Sequence, residues 1–90
     1  MRTAVDLTVT GRVQGVSFRA YAEQEATRLD VAGWVRNEPD GSVALHVEGE
    51  EAAVEAFVRW TYDGPRLARV DHVAARPADD TGATSFDVRY

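Results

Sequence analysis

The chain has no cysteine and no lysine, one methionine, three prolines and no long apolar run. Without cysteine there can be no disulfide, no thiolate nucleophile and no zinc ribbon, which fits a cytoplasmic chain. All ten basic residues are arginine, so Schiff-base chemistry and a phosphate-loop lysine are excluded. Nothing approaches the roughly 20 apolar residues of a membrane span. The start, Met1-Arg2-Thr3-Ala4-Val5-Asp6, has no apolar signal core. These absences point to a soluble protein. Its 90 residues, 44% hydrophobic and 28% charged, suit one globular domain over 1–90. The net charge of −5 speaks against a general nucleic-acid binder. Yet the acids are unevenly placed: none falls between Leu7 and Ala22, where Arg12 and Arg19 stand alone. That window predicts a locally positive site on an acidic protein.

Val5 to Thr10 alternates apolar and polar residues, the pattern of a half-buried strand. Gly11 to Ser17 breaks it. From Phe18, residues Tyr21, Ala22, Ala26 and Leu29 recur at helical spacing, predicting about three turns. Val31 to Arg36 reads as a strand, and Asn37-Glu38-Pro39-Asp40-Gly41 is a turn signal. Val43, Leu45 and Val47 alternate with Ala44, His46 and Glu48, so this strand pairs back as a hairpin. A second helix is expected to open at Gly49, with Val54, Phe57, Val58 and Thr61 inward, and to stop at Asp63-Gly64-Pro65. Leu67 to Arg76 reads as a strand, Pro77 to Thr84 as a polar loop, and Phe86 to Tyr90 as a terminal strand. The order is β-α-β-β-α-β with a short last strand. It predicts a ferredoxin-like α/β sandwich with two helices on one face of a mainly antiparallel sheet, the other face open.

Chemistry concentrates in two segments. In Gly11-Arg12-Val13-Gln14-Gly15-Val16-Ser17-Phe18-Arg19, two glycines allow a sharp turn, and the helix start leaves N–H groups without internal acceptors. Such a site suits an anion, and Arg19, in the first helical turn, can aim its planar fork at it. On spacing alone, a glycine turn with a surface arginine is the commoner reading. In Gly33-Trp34-Val35-Arg36-Asn37, the Asn37 amide can hold a water from either end, though taken alone it simply starts a hairpin turn. His46 and His72 lack triad or metal spacing and read as solvated surface; so do Asp79 and Asp80. Trp34 and Trp60 read as core or edge packing. No His, Cys, Asp or Glu cluster predicts a metal site.

The two blocks together, with Asp40-Gly41-Ser42-Val43, the element order and the aromatic-ended Phe86-Asp87-Val88-Arg89-Tyr90, closely resemble the acylphosphatase family. The resemblance covers essentially the whole chain. It implies hydrolysis of acyl phosphates to carboxylate and phosphate with no metal and no cofactor. It also implies catalytic roles for Arg19 as phosphate-binding arginine and Asn37 as water-orienting amide. The phosphate cradle would run over Arg12, Val13, Gln14, Gly15, Val16, Ser17, Phe18 and Arg19. Ser17 stands at a variable position and is expected to tune that cradle; Ser42 matches a hydroxyl often found just past the turn. The expected partner is a small-molecule acyl phosphate, with no nucleic acid and no membrane, and the expected state is a monomer. A binding module that keeps the cradle without hydrolysis is the competing reading. So is the acylphosphatase-like module that opens hydrogenase-maturation carbamoyltransferases, against which the short chain argues.

Overall fold

The computed structural model describes residues 1–90. Seven elements follow in order: β1 (Arg2–Arg12), α1 (Phe18–Leu29), β2 (Ala32–Asn37), β3 (Val43–Glu50), α2 (Glu51–Asp63), β4 (Arg69–Pro77) and β5 (Phe86–Arg89). The strands form one sheet in the order β4-β1-β3-β2-β5. β1 and β2 both run antiparallel to the β3 between them, and β5 pairs parallel to β2. The carboxyl ends of β1, β2 and β5 therefore emerge at the same end of the sheet. That convergence builds the site.

Both helices cover one face, so the fold is the ferredoxin-like sandwich that the element order predicts. Period-two alternation puts Leu7 and Val9 of β1, Val35 of β2, and Val43, Leu45 and Val47 of β3 on that face, all buried. They meet Phe18, Ala22 and Ala26 of α1, and Val54 and Phe57 of α2. Three tilted aromatic contacts tie the helices together and to β5: Phe18–Trp60 at 5.4 Å, Phe57–Trp60 at 5.7 Å and Phe57–Phe86 at 5.6 Å between centroids.

Several expectations shift. Tyr21 is exposed, because the inward stripe of α1 runs through Phe18, Ala22 and Ala26 at four-residue steps and leaves it at the rim. α2 begins at Glu51, not Gly49: Gly49 and Glu50 still pair with Thr3 and Arg2 of β1 and so belong to β3. β4 starts at Arg69, because the preceding residues turn, with Ala68 N–H donating to Pro65 O at 2.9 Å.

The larger correction concerns the outer face. His46 is buried there rather than solvated, and Glu48 is fully buried. His46 Nδ1 lies 2.7 Å from Asp6 Oδ1 and its Nε2 2.6 Å from Glu48 Oε2. Residues 79–84 fold across them: Thr81 N–H and Oγ1 and Ala83 N–H donate to the Glu48 carboxylate, at 2.6–3.0 Å. Asp80 accepts from Arg2 Nε at 2.7 Å and is not an unpartnered tip. Polar alternation in β3 thus hides a strand buried on both faces, because the polar side finds partners of its own.

Candidate active site

The chain leaves β1 through an irregularity in its pairing with β4 between Thr10 and Gly11. A Cβ on Gly11 would sit 2.2 Å from the Arg69 carbonyl oxygen, so only glycine permits this close approach. The loop that follows is anchored by Val13 and Val16, both buried in the core. Between and beside them, Gly15 (φ 74°) and Ser17 (φ 61°) take left-handed backbone angles. A backbone that alternates handedness turns successive N–H groups inward, which makes an anion-binding concavity. None of the N–H groups of residues 13–17 donates to another group of the protein. Ser17 occupies the N-cap of α1, yet its side chain makes no capping bond, leaving the first-turn N–H groups free as well.

Beside this loop lies a cleft of about 800 Å³ lined by Val13, Gly15, Ser17, Phe18, Arg19, Ala20 and Glu23, with Asn37 and with Asp87, Val88 and Tyr90 from the last strand. Asn37 ends β2 on the same face as Val35, two residues earlier, which directs its amide toward the helix side at the convergent end of the sheet. Its Oδ1 is buried and accepts no hydrogen bond. A buried polar atom left unpartnered is uncommon and marks a place where a ligand or water belongs. The Arg19 guanidinium is held at the cleft: its Nη1 donates to the Arg89 carbonyl at 3.0 Å, and its Cζ lies 4.5 Å from the Tyr90 ring centroid. Of five guanidinium donors, one is so engaged.

Of the residues singled out in the sequence, Val13, Gly15, Ser17, Phe18, Arg19 and Asn37 line the one cleft. Arg12, Gln14 and Val16 do not. Arg12 ends β1 on the surface, opposite Arg69, and Val16 points into the core. Gln14 turns away from the cleft and donates through Nε2 to the carbonyls of Glu38 (2.7 Å) and Ser42 (2.9 Å). Ser42 is occupied too: its N–H and Oγ donate to Asp40 Oδ1, at 2.9 and 2.6 Å.

The expectation of a locally positive site needs correction. Arg19 is the single cation of the cleft lining, and Glu23 and Asp87 join it. Glu23 lies one turn beyond Arg19 on α1, just outside the acid-free window, and Asp87 arrives from the far end of the chain. The positive character of the cleft therefore rests on the N–H dipoles and one guanidinium, not on net charge. Sequence reasoning had not placed Asp87, Val88 or Tyr90 at the site. Only the parallel pairing of β5 with β2 brings them there, and local patterning carries no signal for it.

Fold and cleft together define a class: a ferredoxin-like sandwich with a loop of unpaired N–H groups at the convergent end of its sheet. Comparison with known proteins narrows this. The family model described as acylphosphatase matches residues 5–88, and the chain belongs to the acylphosphatase family. It is 70% identical over 89 residues to an acylphosphatase from a Nocardioides species, covering 99% of this chain and 90% of that one. Among solved structures, a Bacillus subtilis acylphosphatase aligns over all of both chains with a TM-score of 0.94 at 34% identity. An acylphosphatase from Coxiella burnetii also aligns with a TM-score of 0.94 at 34% identity, over 98% of this chain and 93% of that one.

Proposed function

We propose that the protein hydrolyses the carboxyl–phosphate bond of acyl phosphates, with the phosphoryl group on the N–H groups of the 13–17 loop and Arg19, and a water on Asn37. The observation that carries this reading is the meeting of unpaired loop N–H groups, Arg19 and the unpartnered Asn37 Oδ1 in one cleft.

The chemistry asks for little else. Water oxygen attacks phosphorus, the bond from phosphorus to the acyl oxygen breaks, and a carboxylate leaves with that electron pair. A carboxylate is a weak base, so departure needs no strong general acid. Asn37 Oδ1 accepts a hydrogen bond from the water and orients its lone pair toward phosphorus. An amide is a poor base, so the water proton passes to a phosphoryl oxygen. The loop dipoles and Arg19 meet the charge on the equatorial oxygens, and most of the rate comes from positioning and electrostatics. Ser17 is the only hydroxyl of the 13–17 loop, and its Oγ hydrogen-bonds to no carboxylate or imidazole that would make it a nucleophile.

The test is phosphate release from benzoyl phosphate with EDTA present, for the wild type beside Arg19→Ala and Asn37→Ala. Arg19→Ala is expected to weaken phosphate inhibition and nearly abolish turnover. Asn37→Ala is expected to lower kcat about 10²-fold or more while leaving phosphate affinity nearly intact. A folded wild type that binds phosphate without turnover would make this a binding module.

A further inference from the structure

We propose that Gln14 is a positioning residue that fixes the separation between the phosphate loop and Asn37, and that it does not bind the phosphate through its side chain. The inference rests on the roles of the loop and Asn37 proposed above.

The loop and Asn37 belong to different elements, and no strand hydrogen bond joins them. β1 and β2 are separated by β3, so the loop after β1 and the end of β2 are two strand widths apart in the ladder. Gln14 closes that gap. Its Nε2 carries two protons, and the structure offers them two acceptors, Glu38 O and Ser42 O. Glu38 is the residue after Asn37, and Ser42 precedes the Val43 that pairs with Asn37. The amide thus grips both arms of the hairpin one residue beyond the Asn37–Val43 rung.

The gripped turn is itself rigid. Glu38 N–H donates to Ser42 O at 2.8 Å and Gly41 N–H to Glu38 O at 3.1 Å. Asp40 Oδ1 accepts from the Ser42 N–H and hydroxyl. On the other side, buried Val13 and Val16 hold the loop that flanks Gln14. The shared core holds the turn and the loop to one sheet, and the two Gln14 hydrogen bonds set their local separation beside Asn37. An in-line attack needs water and phosphorus placed within a fraction of an ångström, and a shift of about 1 Å can lower a rate about 10²-fold.

The acceptor side makes the test clean. Each carbonyl that Gln14 engages keeps a second donor, Gly41 N–H for Glu38 O and Glu38 N–H for Ser42 O. Gln14→Met, close in length and without donors, therefore orphans neither carbonyl and is expected to fold, as a thermal melt would show. Its kcat on benzoyl phosphate should fall about 10- to 100-fold, while the inhibition constant of inorganic phosphate changes less than about three-fold, because the N–H cradle is local to the loop. In an Asn37→Ala background, Gln14→Met should slow turnover no further, since misplacing an absent amide has no consequence.

Wild-type kcat in Gln14→Met, full additivity with Asn37→Ala, or loss of phosphate affinity in step with kcat would each overturn the proposal. Asn37→Ala that turns over normally would overturn the water-holding role itself, and that failure shows in the single variant. Should Gln14→Met not fold, Gln14→Glu carries the test. As a carboxylate it repels both carbonyls; protonated, it regains one donor. Its kcat relative to wild type should rise as pH falls through the glutamate range, which lies above its ordinary value of about 4.3 beside two carbonyls. A flat ratio would count against the clamp.

Discussion

Arg19 illustrates how one side chain is prepared by the far end of the chain. Its guanidinium lies on the Tyr90 ring and donates to the Arg89 carbonyl, seventy residues on. Those two contacts replace rotamer freedom with a fixed fork beside the loop N–H groups. A cation–π contact of this exposure is worth about 0.5–1 kcal/mol. Tyr90→Ala is accordingly expected to weaken phosphate inhibition about two- to five-fold, with the fold intact by circular dichroism. Unchanged inhibition would mean that the Arg89 carbonyl holds the guanidinium alone. At this scale the sequence was legible for Arg19 and Asn37, whose places follow from a helix start and a strand end. It was silent on the Gln14 side chain, which answers to two carbonyls contributed by another part of the chain.

The element proposed to set phosphate affinity is the loop between β1 and α1, and its shape depends on left-handed backbone at two residues. Gly15 has φ 74°, and nothing lies within 4 Å of where a Cβ would stand. Gly15→Ala therefore meets no clash, and its whole effect is conformational, about 1 kcal/mol or somewhat more. Lower thermal stability and weaker phosphate inhibition are expected together, as the loop relaxes toward negative φ and its N–H groups diverge. Full phosphate affinity in that variant would show that the N–H cradle does not depend on Gly15. The periodic elements could be read from sequence because core-facing residues repeat every two or every three to four positions. Their boundaries moved where partners intervened: Gly49 and Glu50 stay in β3 because Thr3 and Arg2 pair with them.

At the scale of the molecule, the outer face of the sheet is held by a charge network remote from the cleft. Burial of the His46 ring works against its charge, but hydrogen bonds to Glu48 and Asp6 outweigh it, and its pKa is raised. Burial likewise opposes the Glu48 charge, but donors from Thr81, His46 and Ala83 outweigh it, and its pKa is lowered. Both ring nitrogens face carboxylates, so the imidazolium is the form that satisfies them. Arg2 reaches Glu48 at 3.5 Å and Asp80 at 2.7 Å, adding a cation at the rim.

The signs of these shifts define a pH window. The raised His46 pKa contributes stability that is complete below the ordinary histidine value of 6.5 and is lost as pH climbs through the higher folded value. The lowered Glu48 pKa contributes stability present above the ordinary value of 4.5 and lost as pH falls through the lower folded value. Together they place the network at full strength between about 4.5 and 6.5. Thermal melts of wild type and His46→Gln from pH 5 to 9 are expected to converge as pH rises. A constant gap would show that His46 acts through packing alone. Glu48→Ala removes the shared acceptor of the 79–84 loop and leaves a buried imidazolium short of a partner. A loss of about 3 kcal/mol or more is expected, measured by denaturant unfolding at pH 6.

By itself the sequence determined the order of elements, the face each strand and helix turns inward, and the two segments that carry chemistry. All of these are local properties: periodicity, glycine placement, helix starts and strand ends. Tertiary structure alone decided three others. It paired β5 with β2 and so brought Tyr90 to Arg19, it buried His46 and Glu48 on the outer face, and it turned Gln14 toward the hairpin. Each depends on what a side chain meets from tens of residues away. Burial of such polar groups is settled by whether a partner arrives, because burying one unpartnered is costly, and Asn37 Oδ1 at the cleft is the exception.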